Sequence, residues 1–331
     1  MESYEELELL KKVSSMMLDQ LEKNTEQTNV LLRGYGAMQA ALNNLKYELN
    51  DPEDYKQDFF YPKFRSNEET LRLIVEEGKS LARFGDGEFD IIFQIPRHKF
   101  QRPDERLAER IRQVLDSEHP DLLIGIAKNY GSLNLYNEKA ADGIRQYMTE
   151  EVRQRHRQIL SADRIYSDAY MTRPYIMRRD LFTEGPKKRF DALKRIWKSR
   201  KIMIVEGAQT RLGVGNDLFE GVASVKRILA PATNSFDKYD GILRECFNHA
   251  EEVDLFILAI GPSSGVLAYD LTCEGYQAVD VGHIDLEYEW FLAGKGTRVS
   301  VPYKYNNEVK GGDQVEAIND PVYEASVVAV L

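Results

Sequence analysis

The sequence predicts an α/β protein in which a Rossmann-like, mostly parallel β-sheet is flanked by helices, with a long helix or coiled coil at its N-terminus. Two observations predict the sheet. Short apolar runs rich in β-branched residues recur along most of the chain, and helical patterns separate them. Strands of a parallel sheet are buried on both faces and are joined by helices, so this alternation is typical of one. A heptad repeat of apolar residues predicts the N-terminal helix.

The heptad repeat lies in residues 1–50. Its thirteen seam positions, ten of them apolar, are Leu7, Leu10, Ser14, Met17, Leu21, Asn24, Thr28, Leu31, Tyr35, Met38, Leu42, Leu45 and Leu49. A seam of this length predicts a coiled coil, and Asn within a seam often fixes register and oligomer state. Gly34 and Gly36 weaken the helix, each by about 1 kcal/mol relative to Ala. We expect a homo-oligomer formed through this helix; the alternative is a helix or helical hairpin packed on its own domain.

The turn Asn50-Asp51-Pro52 ends this segment. We expect a linker at residues 51–65 and one α/β domain at residues 66–331. Ser66-Asn67-Glu68-Glu69 is a capping box, which satisfies the free amides at the start of a helix. That helix is predicted to end at Gly78.

Seven apolar runs in the second part are predicted strands. They are Leu81–Phe84, Leu122–Ala127, Ile165–Tyr170, Ile202–Val205, Val225–Leu229, Leu255–Ile260 and Ala278–Val281. Helices are predicted between them, for example over Lys139–Arg157 and Asp191–Lys198. Parallel sheets bind ligands beyond the carboxyl ends of their strands. Each motif described below follows one of these strands, which predicts a single crevice.

The net charge of the chain limits the kinds of partner that it is expected to bind. A formal net charge of −10 over 331 residues argues against general nucleic-acid binding. Residues 151–201 nevertheless carry 15 Lys or Arg against 6 Asp or Glu, a local balance of 15 − 6 = +9. This basic segment can face nucleotide phosphates, a lipid-linked phosphate or an anionic membrane, or it can be the solvated face of helices.

The cysteines and the N-terminus predict the compartment. Cys246 and Cys273 show neither zinc-site spacing nor a disulfide framework, which fits a reducing environment. The start of the chain is acidic where a signal peptide is basic, and no apolar run approaches the ~20 residues of a membrane span. We therefore expect a cytoplasmic protein, with peripheral membrane contact as an option for the basic segment.

The segment Arg83–Asp90 contains two carboxylates separated by one glycine, Asp86 and Glu88. Mg²⁺ and Mn²⁺ prefer such carboxylate oxygens and keep positions open for substrate phosphates. Gly85 allows the backbone to approach a ligand, and the Arg83 guanidinium suits a phosphate. The alternative is a solvated turn after a strand.

A glycine-rich loop, Gly207–Asp217, follows another apolar run and leads into a predicted helix at Asn216–Val222. Backbone amides of such a loop and of a helix start can bind a pyrophosphate. Its candidate ligand-binding residues are Gly207, Arg211, Gly213, Gly215 and Asn216. The loop matches neither the Walker A nor the Gly-x-Gly-x-x-Gly pattern, so a tight turn with a capped helix is the alternative.

Gly261-Pro262-Ser263-Ser264-Gly265 lies between a strand and a helix and matches the Gly-x-Ser-x-Gly pattern of hydrolase nucleophiles. In that reading Ser263 is the nucleophile and His283 its base, but no acid follows a strand of its own between the two. We favour a phosphate or sugar contact by Ser263, Ser264 and neighbouring amides. A capped turn is the third option.

Four polar residues cluster after the last predicted strand: Asp280, His283, Asp285 and Glu287. His283 can complete a metal shell, although imidazole is softer than the ligands that Mn²⁺ prefers. Asp285 is the first candidate for a general base, followed by Glu287 and then His283. The alternative is that Asp285 caps a helix and Glu287 is solvated.

These four motifs, in this order, resemble those of the GT-D-type glycosyltransferases, a family first described as a domain of unknown function. The resemblance runs from about Asn67 to near the C-terminus and does not cover the heptad segment. It implies a GT-D-like catalytic domain and metal-dependent transfer of a sugar from a nucleotide donor. The Asp-x-Glu motif, here Asp86 and Glu88, would hold the metal.

The resemblance also implies a substrate class. We expect a hexosyltransferase that uses UDP-glucose or a close relative with Mn²⁺ or Mg²⁺, inverts the anomeric centre, and builds bacterial surface glycan or glycoprotein. Arg83, Gly85, the glycine-rich loop and the two serines would contact the donor. Tyr170, Arg173 and Tyr175 could line the acceptor or base pocket, and Lys304–Glu308 could form a lid.

Two other functions stay open at this point. A serine hydrolase would lose activity on Ser263→Ala and tolerate Asp86→Ala and chelators. A non-catalytic assembly factor would function through its coiled coil and tolerate replacement of both carboxylates. The intact Asp86-Gly87-Glu88 motif counts against both.

Overall fold

The computed structural model describes residues 2–49, 60–96 and 100–331, with side chains from residue 12 onward in the first helix. That helix, α1, spans Glu2–Glu48 and confirms the predicted long N-terminal helix. The Asn50-Asp51-Pro52 turn and most of the predicted linker lie outside the described residues.

The α/β domain is built on one parallel sheet, as predicted. Within the described ranges its strands are β1 (Lys63–Phe64), β2 (Ser80–Phe84), β3 (Leu122–Ile126), β4 (Ile165–Asp168), β5 (Lys201–Gly207), β6 (Ser224–Ala230), β7 (Leu255–Ala259), β8 (Ala278–Asp280) and β9 (Val327–Val330). Their order across the sheet is β1-β4-β3-β2-β8-β7-β5-β6-β9. Each pairing is parallel.

Helices connect these strands and cover the sheet. They are α2 (Asn67–Glu76), α3 (Asp86–Ile92), α4 (Glu105–Asp116), α5 (Glu138–Tyr147), α6 (Glu150–Ile159), α7 (Gly185–Lys194), α8 (Tyr239–Asn248), α9 (Ser263–Cys273), α10 (Ile284–Leu292) and α11 (Pro321–Ser326). Strands β3 and β7 are buried at every residue, so both faces of the central sheet are covered and the apolar runs form a continuous core.

The strand order creates a switch point at the middle of the sheet. From β2 the chain moves outward to β3 and β4 on one side, and β8 later returns to pair with β2 on the other side. Where the connections that follow two adjacent strands run in opposite directions, a crevice opens at the carboxyl ends of those strands. The Asp86-Gly87-Glu88 motif follows β2 and the His283 cluster follows β8, so the topology places both at this crevice.

All seven predicted strands are confirmed, but some boundaries and helices differ. Strand β1 lies inside the predicted linker 51–65 and pairs with β4, so the sheet begins before residue 66. The predicted helix Lys139–Arg157 is two helices, because the Thr149 hydroxyl caps α6 by accepting the Val152 N–H. The predicted helix Asn216–Val222 is a series of turns.

Two smaller differences concern helix ends and the last strand. Strand β9 was not predicted; its alternating, half-exposed residues form an edge of the sheet. The helix predicted at Asp191–Lys198 is α7, which begins at Gly185 and ends at Lys194. Helix α2 agrees with prediction, since the Ser66 hydroxyl accepts the Glu69 N–H over 3.0 Å.

The C-terminal end of α1 docks on the α/β domain through polar contacts. The Asn44 amide donates to the Arg145 carbonyl over 3.0 Å and accepts from Arg153 Nη2 over 2.7 Å. The Arg153 guanidinium also lies 3.7 Å from the centre of the Tyr47 ring. Glu48 pairs with Arg145 at 2.7 Å. One end of the predicted coiled coil therefore packs on its own domain.

No helix in the part of the chain that the structure describes is long and apolar enough to cross a bilayer.

Candidate active site

A cavity of about 530 Å³ opens at the carboxyl ends of the central strands. Residues that follow β2, β3, β4, β5, β7 and β8 all contribute to its wall. The predicted site residues that line it are Arg83, Gly85, Asp86, Glu88, His283 and Asp285. Residues that lie about 200 positions apart in the sequence thus meet in one cavity, because β2 and β8 are neighbouring strands.

Asp86 and Glu88 occupy the first turn of α3, which begins directly after β2. The Gly85 N–H donates to Glu88 Oε2 over 2.7 Å and fixes this carboxylate beside the cavity. Burial, with the nearby carboxylates of Asp280 and Asp86 adding to it, raises the pKa of Glu88 to about 7. Crowded carboxylates of this kind repel one another, and a bound cation would relieve that repulsion.

Arg83 is held by the strand beside it. Its Nε donates to the Asp280 carbonyl and its Nη2 to Asp280 Oδ1, both over 2.8 Å, while Nη1 donates to the Ala169 carbonyl over 3.3 Å. At Gly282, which has a φ of +50°, an added Cβ would lie 2.1 Å from Nη2. The guanidinium lines the cavity, but its hydrogen bonds connect β2 to β8, so its phosphate role stays a prediction.

His283 is oriented by a neighbouring arginine. Arg173 Nη2 lies 3.1 Å from His283 Nδ1 and 2.5 Å from Glu308 Oε1. Burial lowers the pKa of His283 to about 4, so the imidazole is neutral near pH 7. A guanidinium only donates, which makes Nδ1 the acceptor and places the ring proton on Nε2. In this tautomer neither ring nitrogen is open to a metal.

Asp285 lies in a buried network. Its Oδ1 accepts the Gly213 N–H and an Asn216 amide N–H, both over 2.9 Å, and its Oδ2 lies 2.5 Å from Lys304 Nζ. Lys304 is fully buried and also contacts Glu289 over 2.9 Å. A carboxylate has about four acceptor positions, so Asp285 keeps the capacity for one more hydrogen bond.

Glu287 does not line the cavity. It is fully buried, and its Oε2 accepts the backbone N–H groups of Tyr175 and Ile176 over 3.1 and 2.8 Å. Its other oxygen has no hydrogen-bond partner and lies 3.9 Å from Arg173. This geometry argues against the predicted role of Glu287 as a base and against the alternative that Glu287 is solvated. Its carboxylate instead fixes the backbone of the segment that follows β4.

The predicted metal trio of Asp86, Glu88 and His283 is not assembled. In the described ranges, no group of three or more His, Cys, Asp or Glu side chains converges as a metal-binding cluster. The Asp86 and Glu88 carboxylates nevertheless fit a hard divalent ion that takes its remaining ligands from water and substrate. The ligand set that the geometry supports is therefore the two carboxylates without His283.

The part of the chain that matches a known protein family contains the same motifs. A model of the family described as the glycosyltransferase GT-D fold matches residues 81–309. This range begins in β2, ends just after Glu308, and so contains the whole cavity wall described above. The chain belongs to the GT-D glycosyltransferase family.

Two relatives named as glycosyltransferases come from streptococci. The chain is 35% identical over 270 residues to a probable glycosyl transferase Gly of Streptococcus gordonii, covering 80% of this chain and 38% of the relative. It is 35% identical over 265 residues to glycosyltransferase GlyD of Streptococcus pneumoniae serotype 4, covering 79% and 32%. The chain thus matches about a third of the length of these relatives.

Solved GT-D structures agree with the fold. The structure titled a new glycosyltransferase (DUF1792) from Streptococcus sanguinis superposes with a TM-score of 0.76 at 33% identity and covers 82% of this chain and 100% of that chain. A structure titled as showing that the domain of unknown function 1792 has a distinct glycosyltransferase fold gives a TM-score of 0.75 at 33% identity, covering 81% and 95%. These matches confirm the predicted family and fold.

The glycine-rich loop of this GT-D domain acts as a scaffold. The Leu212 and Gly213 amides donate to the carboxylates of Glu206 and Asp285 over 2.6 and 2.9 Å. Arg211 donates to the carbonyls of Tyr303 and Glu316, over 2.7 Å each. Of this loop, Thr210 and Leu212 line the cavity, whereas the predicted ligands Gly207, Arg211, Gly213, Gly215 and Asn216 do not. The Leu212 and Gly213 amides and the Arg211 side chain thus already bind other groups of the same chain, which argues against the predicted pyrophosphate site.

Ser263 and Ser264 are fully buried at the start of α9. Ser263 Oγ accepts from Ser235 Oγ over 3.0 Å, and Ser264 Oγ accepts the Ile260 N–H over 2.9 Å. Gly261 and Pro262 line the cavity in their place. Neither the predicted phosphate contact nor the hydrolase nucleophile agrees with this placement, because both require an accessible hydroxyl.

Several cavity residues carried no local signal in the sequence. Lys139 and Tyr147 reach the cavity from α5, Arg298 from the segment after α10, and Phe100 from the loop before α4. Phe100 and Tyr305 pack with their ring centres 5.9 Å apart, and Phe100 also lies against Gly261. These residues are brought together by tertiary packing. Of the residues expected to line a pocket, Tyr170 and Arg173 do so and Tyr175 does not.

Proposed function

We propose that the protein transfers a hexose from a UDP-sugar, UDP-glucose or a close relative, to a glycan or glycoprotein acceptor in bacterial surface glycan synthesis, with inversion and with a divalent metal. One observation carries the proposal. Asp86 and Glu88 lie in the first turn of α3, at the switch point of a GT-D sheet, and line the same cavity as His283. This is the place where such sheets bind ligands.

The charge of the cavity supports a metal and an anionic donor together. Its wall carries six carboxylates and four cationic side chains, a formal balance of 4 − 6 = −2 when His283 is neutral and every carboxylate, Glu88 included, is ionised. The carboxylates are Asp86, Glu88, Asp90, Asp280, Asp285 and Glu308; the cations are Arg83, Lys139, Arg173 and Arg298. Such a cavity repels a diphosphate by itself. Mn²⁺ or Mg²⁺ held by Asp86 and Glu88 would neutralise charge on the leaving nucleotide.

The remaining cavity residues position the substrates in this proposal. His283, with its proton on Nε2, donates a hydrogen bond to a donor oxygen. Arg173 and Arg298 both bind Glu308, at 2.5 and 3.1 Å, which holds the Lys304–Glu308 segment against the cavity. The aromatic pair of Phe100 and Tyr305 offers apolar ring faces for the base or the sugar.

Asp285 is the proposed base that deprotonates the acceptor hydroxyl. The Lys304 ammonium pairs with one of its carboxylate oxygens, and the Gly213 and Asn216 donors fix its orientation. One acceptor position is left for an incoming hydroxyl. Asp285→Asn should therefore abolish transfer while donor binding persists.

The first experiment is a thermal-shift panel of nucleotide sugars with and without Mn²⁺. A ligand that binds only the native state raises the melting temperature by mass action. We expect a metal-dependent rise with UDP-sugars, lost in Glu88→Ala and kept in Glu118→Ala, an exposed glutamate outside the cavity. No rise with any nucleotide sugar, with or without metal, would contradict donor binding.

Product stereochemistry tests the reaction course. With a donor in the α configuration, inversion gives a β-linked product, which NMR of the product distinguishes from retention. An α-linked product would rule out the single-displacement role assigned to Asp285. The acceptor class, the cytoplasmic location and the peripheral membrane contact remain predictions from the sequence.

A further inference from the structure

Helix α1 presents an exposed apolar seam. Every side chain of residues 12–36 is exposed, a stretch of about 37 Å at 1.5 Å per residue. The exposed apolar seam residues are Met17, Leu21, Leu31, Tyr35, Met38, Leu42, Leu45 and Leu49. Helices in proteins take most of their stability from packing an apolar face, and Gly34 and Gly36 weaken this one further. A partner for the seam would supply the missing packing.

The seam and the face that docks on the α/β domain lie on different sides of α1. Asn44 and Tyr47 face the domain and are 3% and 6% exposed. Leu42, Leu45 and Leu49 are 57%, 47% and 74% exposed in the same two turns. At 100° per residue, Tyr47 stands roughly 140–160° around the helix from Leu42 and Leu45. The domain therefore occupies one side of α1 and leaves the described part of the seam, from Ser14 to Leu49, free.

We propose that this seam binds a second copy of the chain in a parallel, two-stranded coiled coil. Because each α/β domain sits on the side of α1 away from the seam, two domains fit on opposite flanks of the same end of the coil. Asn24 then faces Asn24 of the partner subunit, a polar pair that fixes register. This proposal is independent of the sugar-transfer chemistry.

The residues at the positions that flank the seam are compatible with pairing between two identical copies of α1. In a parallel pair, residue i on one flank meets residue i+5 of the other helix. The pairs formed this way along the exposed stretch are Val13 with Leu18, Gln20 with Thr25, and Gln27 with Leu32. None places like charges opposite each other, so nothing on these flanks disfavours self-pairing.

The seam is also large enough for a stable pair. Full burial of one Leu or Met side chain removes roughly 60–120 Å² from water. Eight seam residues and the flanking Leu18 and Leu32, each about half to three-quarters exposed, give on the order of 1,000 Å² from the two helices. Specific interfaces begin near this area.

The test compares two double variants of the full chain by sedimentation equilibrium. Met17→Glu/Leu31→Glu places charges in the seam, and Met16→Glu/Val30→Glu places them on the neighbouring exposed face. Met16 and Met17 are equally exposed, at 63%, so neither change disturbs a packed core. We expect a dimer for wild type and the control, and a dissociation constant raised at least about 100-fold for the seam variant.

Orientation is tested by disulfide trapping in a Cys273→Ser background, since Cys273 is exposed. Asn24→Cys should form a covalent dimer on mild oxidation, whereas Val30→Cys should not. A monomeric wild type, a trimer or tetramer, a dimer unaffected by the seam variant, or no trapping at position 24 would each overturn the proposal. So would seam-dependent binding of a monomer to phosphatidylserine vesicles, because the seam would then bind lipid.

Discussion

Arg173 donates from Nη2 to Nδ1 of His283 over 3.1 Å, and this one contact decides which form of the imidazole the cavity contains. The ring is neutral, with its proton on Nε2, and the same guanidinium is fixed from its other side by Glu308. Burial opposes the ionisation of Glu308, yet Arg173 holds its pKa well below the usual range. At pH values well above 4 the imidazole is therefore neutral, while Arg173 and Glu308 are both charged.

Replacing this arginine should change the pH profile of the reaction. Arg173→Met removes a cation that lowers the pKa of His283 and leaves Glu308, which raises it. The His283 pKa should then rise above about 4, although burial, the largest cause of its lowering, remains. We expect the acid limb of kcat/KM to move to higher pH than in wild type, and the rate to fall about 100-fold. Arg179→Met, at an exposed position, is the control; an unchanged profile in Arg173→Met would contradict this account.

Lys304 is expected to stabilise the fold through the two carboxylates it neutralises. Lys304→Met leaves Asp285 and Glu289 without their cation in a buried site. Removing one partner of a buried pair destabilises by about 3–5 kcal/mol, because the remaining charge is uncompensated. Urea unfolding measures the loss. Adding Asp285→Asn should recover part of it, and strictly additive effects would show that the two residues do not interact.

Glu88 should make the metal-free protein less stable as the pH rises. Its folded pKa is about 7, above its ordinary value of 4.5, so the folded state binds its proton more tightly. The stability linked to this proton is present below pH 4.5 and is lost as the pH rises through 7. We expect melting temperatures of the apo protein to fall over this window, and less steeply in Glu88→Gln. Equal slopes for the two proteins would contradict the assigned burial.

Ser263→Ala should leave transfer nearly unchanged. The hydroxyl is buried against Ser235 and does not reach the cavity, so a substrate cannot contact it. Loss of one neutral hydrogen bond should lower stability by about 1 kcal/mol. Activity within twofold of wild type, with a small drop in the urea midpoint, is the expected result. Complete loss of activity in a folded variant would revive the hydrolase interpretation.

The parts of the fold that followed from the sequence are those with strong local causes. Buried parallel strands need apolar residues on both faces, so β2 through β8 appear directly as apolar runs. Strands β1 and β9 escaped detection because one has two residues and the other is a half-exposed edge. The break between α5 and α6 depends on the Thr149 cap, a weaker signal than the apolar pattern that continues across it.

The candidate site was predictable only where residues follow strands that become neighbours. Asp86 and His283 met that condition, since β2 pairs with β8. The role of the glycine-rich loop could not be predicted in this way. Its Leu212 and Gly213 amides bind the carboxylates of Glu206 and Asp285, and Asp285 lies 72 positions from Gly213 in the sequence. The role of Lys304 likewise arises from a pairing with α10 that no local pattern encodes.

The docking of α1 has a practical consequence for anyone who trims the chain. The boundary at residue 50 looks like a natural place to excise the catalytic fragment. Yet Arg153, which is only 9% exposed, donates a hydrogen bond to Asn44 and packs on the ring of Tyr47. Both of these residues precede position 50 and would be removed. A fragment that starts at the sheet would keep the Arg153 bonds to the Met148 and Tyr130 carbonyls but would lose the acceptor of Nη2. It would also lose the Asn44 and Glu48 contacts to Arg145 of α5, a helix that lines the cavity. Loss of activity in such a truncation would therefore be no evidence for an oligomer.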